Sequence, residues 1–242
     1  MSSTPETIAP PPAERASGLA TYFKVLYAPG EAFATLARVP MWGWAAVIGV
    51  LLTLIGTIIL LPATMHYAAL AQEQRFSQMP ADQAAAAREF MGKYPWINSI
   101  GGLIGAFIAP WLIWLVGACV FLIGAALGGG EARFKMAWVT AVNTYLIPAL
   151  GSIVSGTIVM LRGAANANTM SDLYALPSLS MLVHGGPKLT MFLYTFNIVN
   201  IWFYIVLVIA LEQMLKMSRT AALVTVVILA LISAGLGAAF AR

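Results

Sequence analysis

The sequence predicts an all-α polytopic membrane protein: a bundle of five transmembrane helices preceded by amphipathic helices at the membrane interface. Three observations predict it. Long apolar stretches run at residues 41–63, 97–127, 136–161, 189–211 and 220–240. A run of about 18 or more such residues reads as a membrane span, because its backbone must bond to itself in lipid. Charged residues make up only 9% of the 242 positions, and hydrophobic ones 60%, whereas soluble domains carry roughly 25% charged residues. Tryptophans at 42 and 44 open the first stretch, as aromatic anchors at the headgroup level do.

The elements follow in order. Residues 1–17, with Pro10, Pro11 and Pro12 in a row, read as a disordered cytoplasmic tail. Residues 18–39 carry two apolar faces at helical spacing, Leu19, Tyr22, Phe23 and Leu26, then Ala32, Phe33, Leu36 and Val39. Pro29 suits the first turn of the second helix, with Glu31 near its positive dipole end. Such helices lie along the membrane surface or pack on the ends of the spans. The first span ends near Pro62, and the polar segment 64–96 reads as an outer helical hairpin. Pro110 interrupts the second span and Pro148 the third. A proline there is a tolerated kink or a break that exposes carbonyls. A weakly apolar piece, Leu176 to Val183, is long enough for a surface or re-entrant segment but not a span.

Composition excludes several classes of function. The net charge of +4 comes from residues at span ends rather than a stripe, so it reflects topology, and no nucleic-acid partner is expected. The two short links are basic, through Arg133, Lys135, Lys216 and Arg219. Positive charge in short loops places them, and the N-terminus, in the cytoplasm, with the C-terminus outside. The single cysteine, Cys119, forms no intrachain disulfide and reads as a small packing residue. No H-E-x-x-H, phosphate loop or C-x-x-C is present, so no enzyme chemistry, cofactor or metal is expected. Ser152 with His184 is a poor protease pair, because His184 lies in a loop. His66, Glu73, Asp82 and His184 read as solvated surface rather than as metal ligands. Glu212 is expected to pair with Lys216 one helical turn on.

Two groups of side chains remain as candidates. Phe23, Lys24, Phe33 and Arg38 form an apolar and basic surface for docking to lipid or a protein partner. Asn143, Asn197 and Asn200 are the polar residues of the third and fourth spans. They either line a polar cavity or bond across to neighbouring helices, where amides act as glue worth roughly 0.6–2 kcal/mol. Four small-residue pairs, Gly101 with Gly105, Gly124 with Gly128, Gly151 with Ser155 and Ser233 with Gly237, allow close helix approach within the bundle or in a homo-oligomer.

Several segments resemble the Yip1 family of multispan proteins, in its bacterial branch. Phe23-Lys-Val-Leu-Tyr-Ala-Pro29-Gly-Glu-Ala-Phe33 is similar to the family's lead-in to the membrane. Gly129-Gly130-Glu-Ala-Arg-Phe134-Lys135, followed by Tyr145-Leu-Ile-Pro148, resembles its second link and proline-bearing span. Pro177-Ser-Leu-Ser-Met-Leu with Phe196-Asn197 and Trp202 resembles the approach to the fourth span, and Ser218-Arg219-Thr-Ala-Ala the start of the fifth. The resemblance implies a five-helix membrane domain, expected over 18–240, with no catalytic centre. The amphipathic pattern beside an inert bundle is read as a scaffold, adaptor or membrane-organising factor, and the alanine-rich composition as a bacterial inner membrane. The alternative expectation is a small channel or transporter built on the polar residues of spans two to four.

Overall fold

The computed structural model describes residues 17–94, 96–183 and 185–241. The helices in chain order are α1 (Gly18–Lys24), α2 (Pro29–Arg38), α3 (Gly43–Phe76), α4 (Ala81–Lys93), α5 (Trp96–Leu127), α6 (Phe134–Thr144), α7 (Leu146–Arg162), α8 (Pro187–Tyr194), α9 (Ile198–Met214) and α10 (Arg219–Phe240). Among the described residues the only β-type pairing is one bridge between Ser178 and Asn197. The expected disordered tail lies outside the described residues except for Ser17, which caps α1 by accepting from the Ala20 N–H.

Among the described residues, four helical stretches are long and apolar enough to cross a membrane: Gly43–Phe76, Ser99–Leu127, Phe134–Arg162 and Arg219–Ala239. The first does not stop at Pro62, which sits inside α3. Pro62 forfeits one backbone bond, yet the helix runs for 34 residues, about 51 Å at 1.5 Å per residue. The hydrocarbon core is only about 30 Å thick, so the last turns of α3 extend beyond it. There Glu73 pairs with Arg88 of α4, and the Arg88 guanidinium lies over the Phe76 ring.

The proline positions behave differently from one another. α5 passes through Pro110 without a break. The third stretch divides at Tyr145 into α6 and α7, because Pro148 has no N–H to give to the carbonyl one turn back. The predicted span at 189–211 is also divided, into α8 of 8 residues and α9 of 17. α9 alone is about 26 Å long.

The core sits between α3, α5, α6, α9 and the two N-terminal helices. Trp114 of α5 is wholly buried and meets the rings of Trp138 and Tyr145 edge-on, at 6.2 and 5.5 Å. Glycines let the long helices close on one another. A Cβ on Gly124 would lie 2.5 Å from Thr225 Oγ1 of α10, and one on Gly151 would lie 2.6 Å from Val199 Cγ1 of α9. Gly56 of α3 likewise receives Ser152 of α7. Between α7 and α8, three short 3-10 turns form at Ala164–Asn166, Met170–Leu173 and Leu179–Met181. Ala167, Leu173 and Ala175 from this stretch pack with Ala63 and Val159 as a small second core, and a capping box between Thr169 and Asp172 holds one turn. The segment Leu176 to Val183 leaves Leu179, Met181, Leu182 and Val183 exposed.

Candidate functional site

Two arrangements stand out. The first is the N-terminal pair α1 and α2. Its inner face, with Tyr22, Val25, Phe33 and Leu36, is buried in the main core, where α2 packs against α9. The expectation that Phe33 meets lipid or a partner is therefore corrected: its ring is 0% exposed. The sequence places Phe33 on the apolar face of α2 but does not show whether that face meets lipid or the bundle. Leu19, Phe23, Tyr27 and Val39 remain exposed, Tyr27 to 75%. Phe23 thus stays on the outer surface, with Arg38 exposed nearby in the chain. Lys24 forms an ion pair with Glu31. The hydrogen bond and charge of that pair hold the Lys24 ammonium above its ordinary range and the Glu31 carboxyl below its own. Burial pushes the Tyr22 phenol above its ordinary range, so it stays neutral. Its OH and the Trp114 Nε1 have no hydrogen-bond partner among the described residues.

At the same end of the bundle, the two short links meet where the Glu131 N–H donates to the Leu215 carbonyl at 2.6 Å. Glu212 does not form the expected pair with Lys216. α9 ends at Met214, and Lys216 takes the left-handed conformation at φ 53°, off the helical face. One Glu212 oxygen is buried without a partner among the described residues.

The second arrangement is the break between α8 and α9. Asn197 is extended there, and its Oδ1 accepts from the Asn200 N–H at 2.9 Å as the cap of α9. Its Nδ2 donates to the Tyr194 carbonyl at 3.1 Å, and the Asn200 Nδ2 donates to the Thr195 carbonyl at 2.9 Å. The Ile198 N–H reaches the Pro177 carbonyl at 3.0 Å. A membrane helix can be interrupted here because these bonds replace those the break removes. Among the described residues neither asparagine bonds across to another long helix. Asn143 is elsewhere: its Nδ2 donates to the carbonyls of Met41 and Val139, at 3.0 and 2.9 Å. It borders a cleft with Met41 to Ala45, whereas Asn197 and Asn200 border one with Gly56, Thr57 and Leu60. About 13 residues of α3 separate the two places, roughly 20 Å along the helix. The three asparagines do not form one network.

The cleft at the break measures about 320 Å³ and lies between α3, α7, the α8–α9 junction and the loop at Leu173 to Leu176. Sequence reasoning missed the loop's part in it. The only available signal was the short apolar piece after Asp172. Among the described residues no group of three or more His, Cys, Asp or Glu side chains is placed to hold a metal ion. His184 lies outside the described residues. Ser152 donates to the Ala149 carbonyl at 2.7 Å, and His66 faces Asn168 of the loop. Cys119 lies on the exposed face of α5.

Long apolar helices with glycine-mediated contacts define an integral membrane protein of the helical, multispan class. The Yip1 domain family model matches residues 23–240, and the chain belongs to that family. A relative is Membrane protein YknW of Bacillus subtilis (strain 168), 28% identical over 224 residues that cover 89% of each chain. No solved structure matches the chain.

Proposed function

We propose that the protein is a non-enzymatic scaffold or membrane-organising factor of a bacterial inner membrane. Its N-terminus faces the cytoplasm and its C-terminus the outside. The membrane domain runs over 18–240, and α8 with α9 serves as a fifth crossing. The segment 64–96 stands outside as a helical hairpin. One observation carries the reading: α1 and α2 bury one face in the bundle while Phe23, Tyr27, Val39 and the basic Arg38 stay exposed. A rigid, partly apolar and basic surface suits a protein partner or anionic headgroups. The test is gentle extraction with surrounding lipid, followed by native mass spectrometry of the wild type and of Phe23→Asp with Tyr27→Asp. A stoichiometric second protein that is lost in the double variant supports the reading. Unchanged localisation and partner recovery in a folded double variant refute it.

The second reading, a small channel or transporter, is supported by the cleft beside the α8–α9 break. It is weakened by the separation of Asn143 and by the amides' engagement with backbone carbonyls. Flux through proteoliposomes that is equal for wild type and Asn200→Ala, both folded, would dismiss it.

A further inference from the structure

We propose that the cleft at the α8–α9 break binds the hydroxyl-bearing head of an uncharged glyceride or polyol. The site goes beyond the scaffold reading and does not depend on it. The residues lining the cleft are all uncharged. A charged ligand would therefore lose hydration there with no ionic partner to replace it.

The hydrogen positions set which neutral groups fit. The Thr57 hydroxyl donates its proton to the Thr53 carbonyl at 2.9 Å, and the Ser152 hydroxyl donates to the Ala149 carbonyl at 2.7 Å. Each hydroxyl has one proton to give and two lone pairs, so both oxygens are left as acceptors. The Asn200 Nδ2 is engaged with the Thr195 carbonyl, and among the described residues no donor reaches its Oδ1. The cleft thus offers these three neutral acceptors together with the hydroxyls of Ser155, Tyr174 and Tyr194, which can donate as well as accept, and it suits a ligand hydroxyl that does both. A cation is a poor occupant, because the Tyr194 and Thr195 carbonyls at the break are taken by Asn197 and Asn200. Leu60, Leu173, Leu176 and Val199 add apolar wall beside these polar groups, which suits hydrocarbon next to the hydroxyls.

The test uses the full chain in nanodiscs of dioleoylphosphatidylcholine, with monooleoylglycerol as the probe. Methyl oleate, which lacks the hydroxyls, and free glycerol are the comparison ligands. Wild type is expected to retain monooleoylglycerol and not methyl oleate. The isosteric Thr57→Val and the smaller Ser152→Ala should each weaken retention about fivefold, the factor that corresponds to one hydrogen bond of roughly 1 kcal/mol. Displacement by free glycerol would support the same hydroxyl chemistry with a soluble occupant. Lack of displacement would support a membrane lipid. Equal retention of methyl oleate, or unchanged retention in both folded variants, overturns the proposal. The readout is ligand retention alone, so it fails independently of the partner-recovery test.

Discussion

Phe23 and Phe33 look alike in the sequence, and the fold assigns them opposite roles that can be measured. Phe33 is 0% exposed in the core formed with α9, whereas Phe23 is 42% exposed. Phe33→Ala removes about 100 Å³ of side chain, and at roughly 24 cal/mol per Å³ of unfilled cavity that costs about 2.4 kcal/mol. The transfer contribution adds at most about 4 kcal/mol, from some 150 Å² of ring at 25 cal/mol per Å². Part of that is recovered, because an undocked α2 can still rest its ring in the lipid interface. The expected loss is therefore about 3–5 kcal/mol for Phe33→Ala and under about 1 kcal/mol for Phe23→Ala. Reversible unfolding of the purified protein in mixed detergent–lipid micelles measures both. Spin labels on α2 and α9 then report whether α2 has left the bundle. Equal destabilisation by the two substitutions would refute the assignment of faces. So would an α2 that stays undocked in the wild type.

Further outcomes follow from the glycine contacts, the strained residue and the ion pair. Gly124→Val should destabilise by more than about 3 kcal/mol, because its Cβ would strike Thr225. Gly101→Ala with Gly105→Ala meets no atom within 4 Å among the described residues, so it should not lower monomer stability. A fall in oligomer mass by light scattering in that variant would reveal a homo-oligomer packed on these glycines. Lys216→Gly should raise the unfolding free energy by roughly 1 kcal/mol by relieving the left-handed backbone. The Lys24–Glu31 contribution is present between the ordinary carboxylate and lysine ranges. It is lost below about pH 4.5 as Glu31 protonates through its lowered pKa, and above about pH 10.5 as Lys24 deprotonates through its raised one. Spin-label distances between α1 and α2 should be flat across that window and broaden outside it. Lys24→Met should remove the dependence on pH.

The sequence by itself determined the solvent, the all-helical class and the family. Long uncharged stretches leave the backbone no partner but itself, and 3.6-residue spacing marked α2 before any coordinate was known. It also located the asparagines, because polar residues in apolar runs are conspicuous. Only the tertiary structure decided what those residues do. Asn197 and Asn200 cap a break, and Asn143 ties α6 to the start of α3. A sequence shows that an amide must find a partner, not which carbonyl comes within 3 Å. The same limit applies to Phe33, to Glu212 and to the loop that completes the cleft. Their surroundings are supplied by residues far along the chain, and which helix faces meet is fixed by where a glycine lets two backbones close.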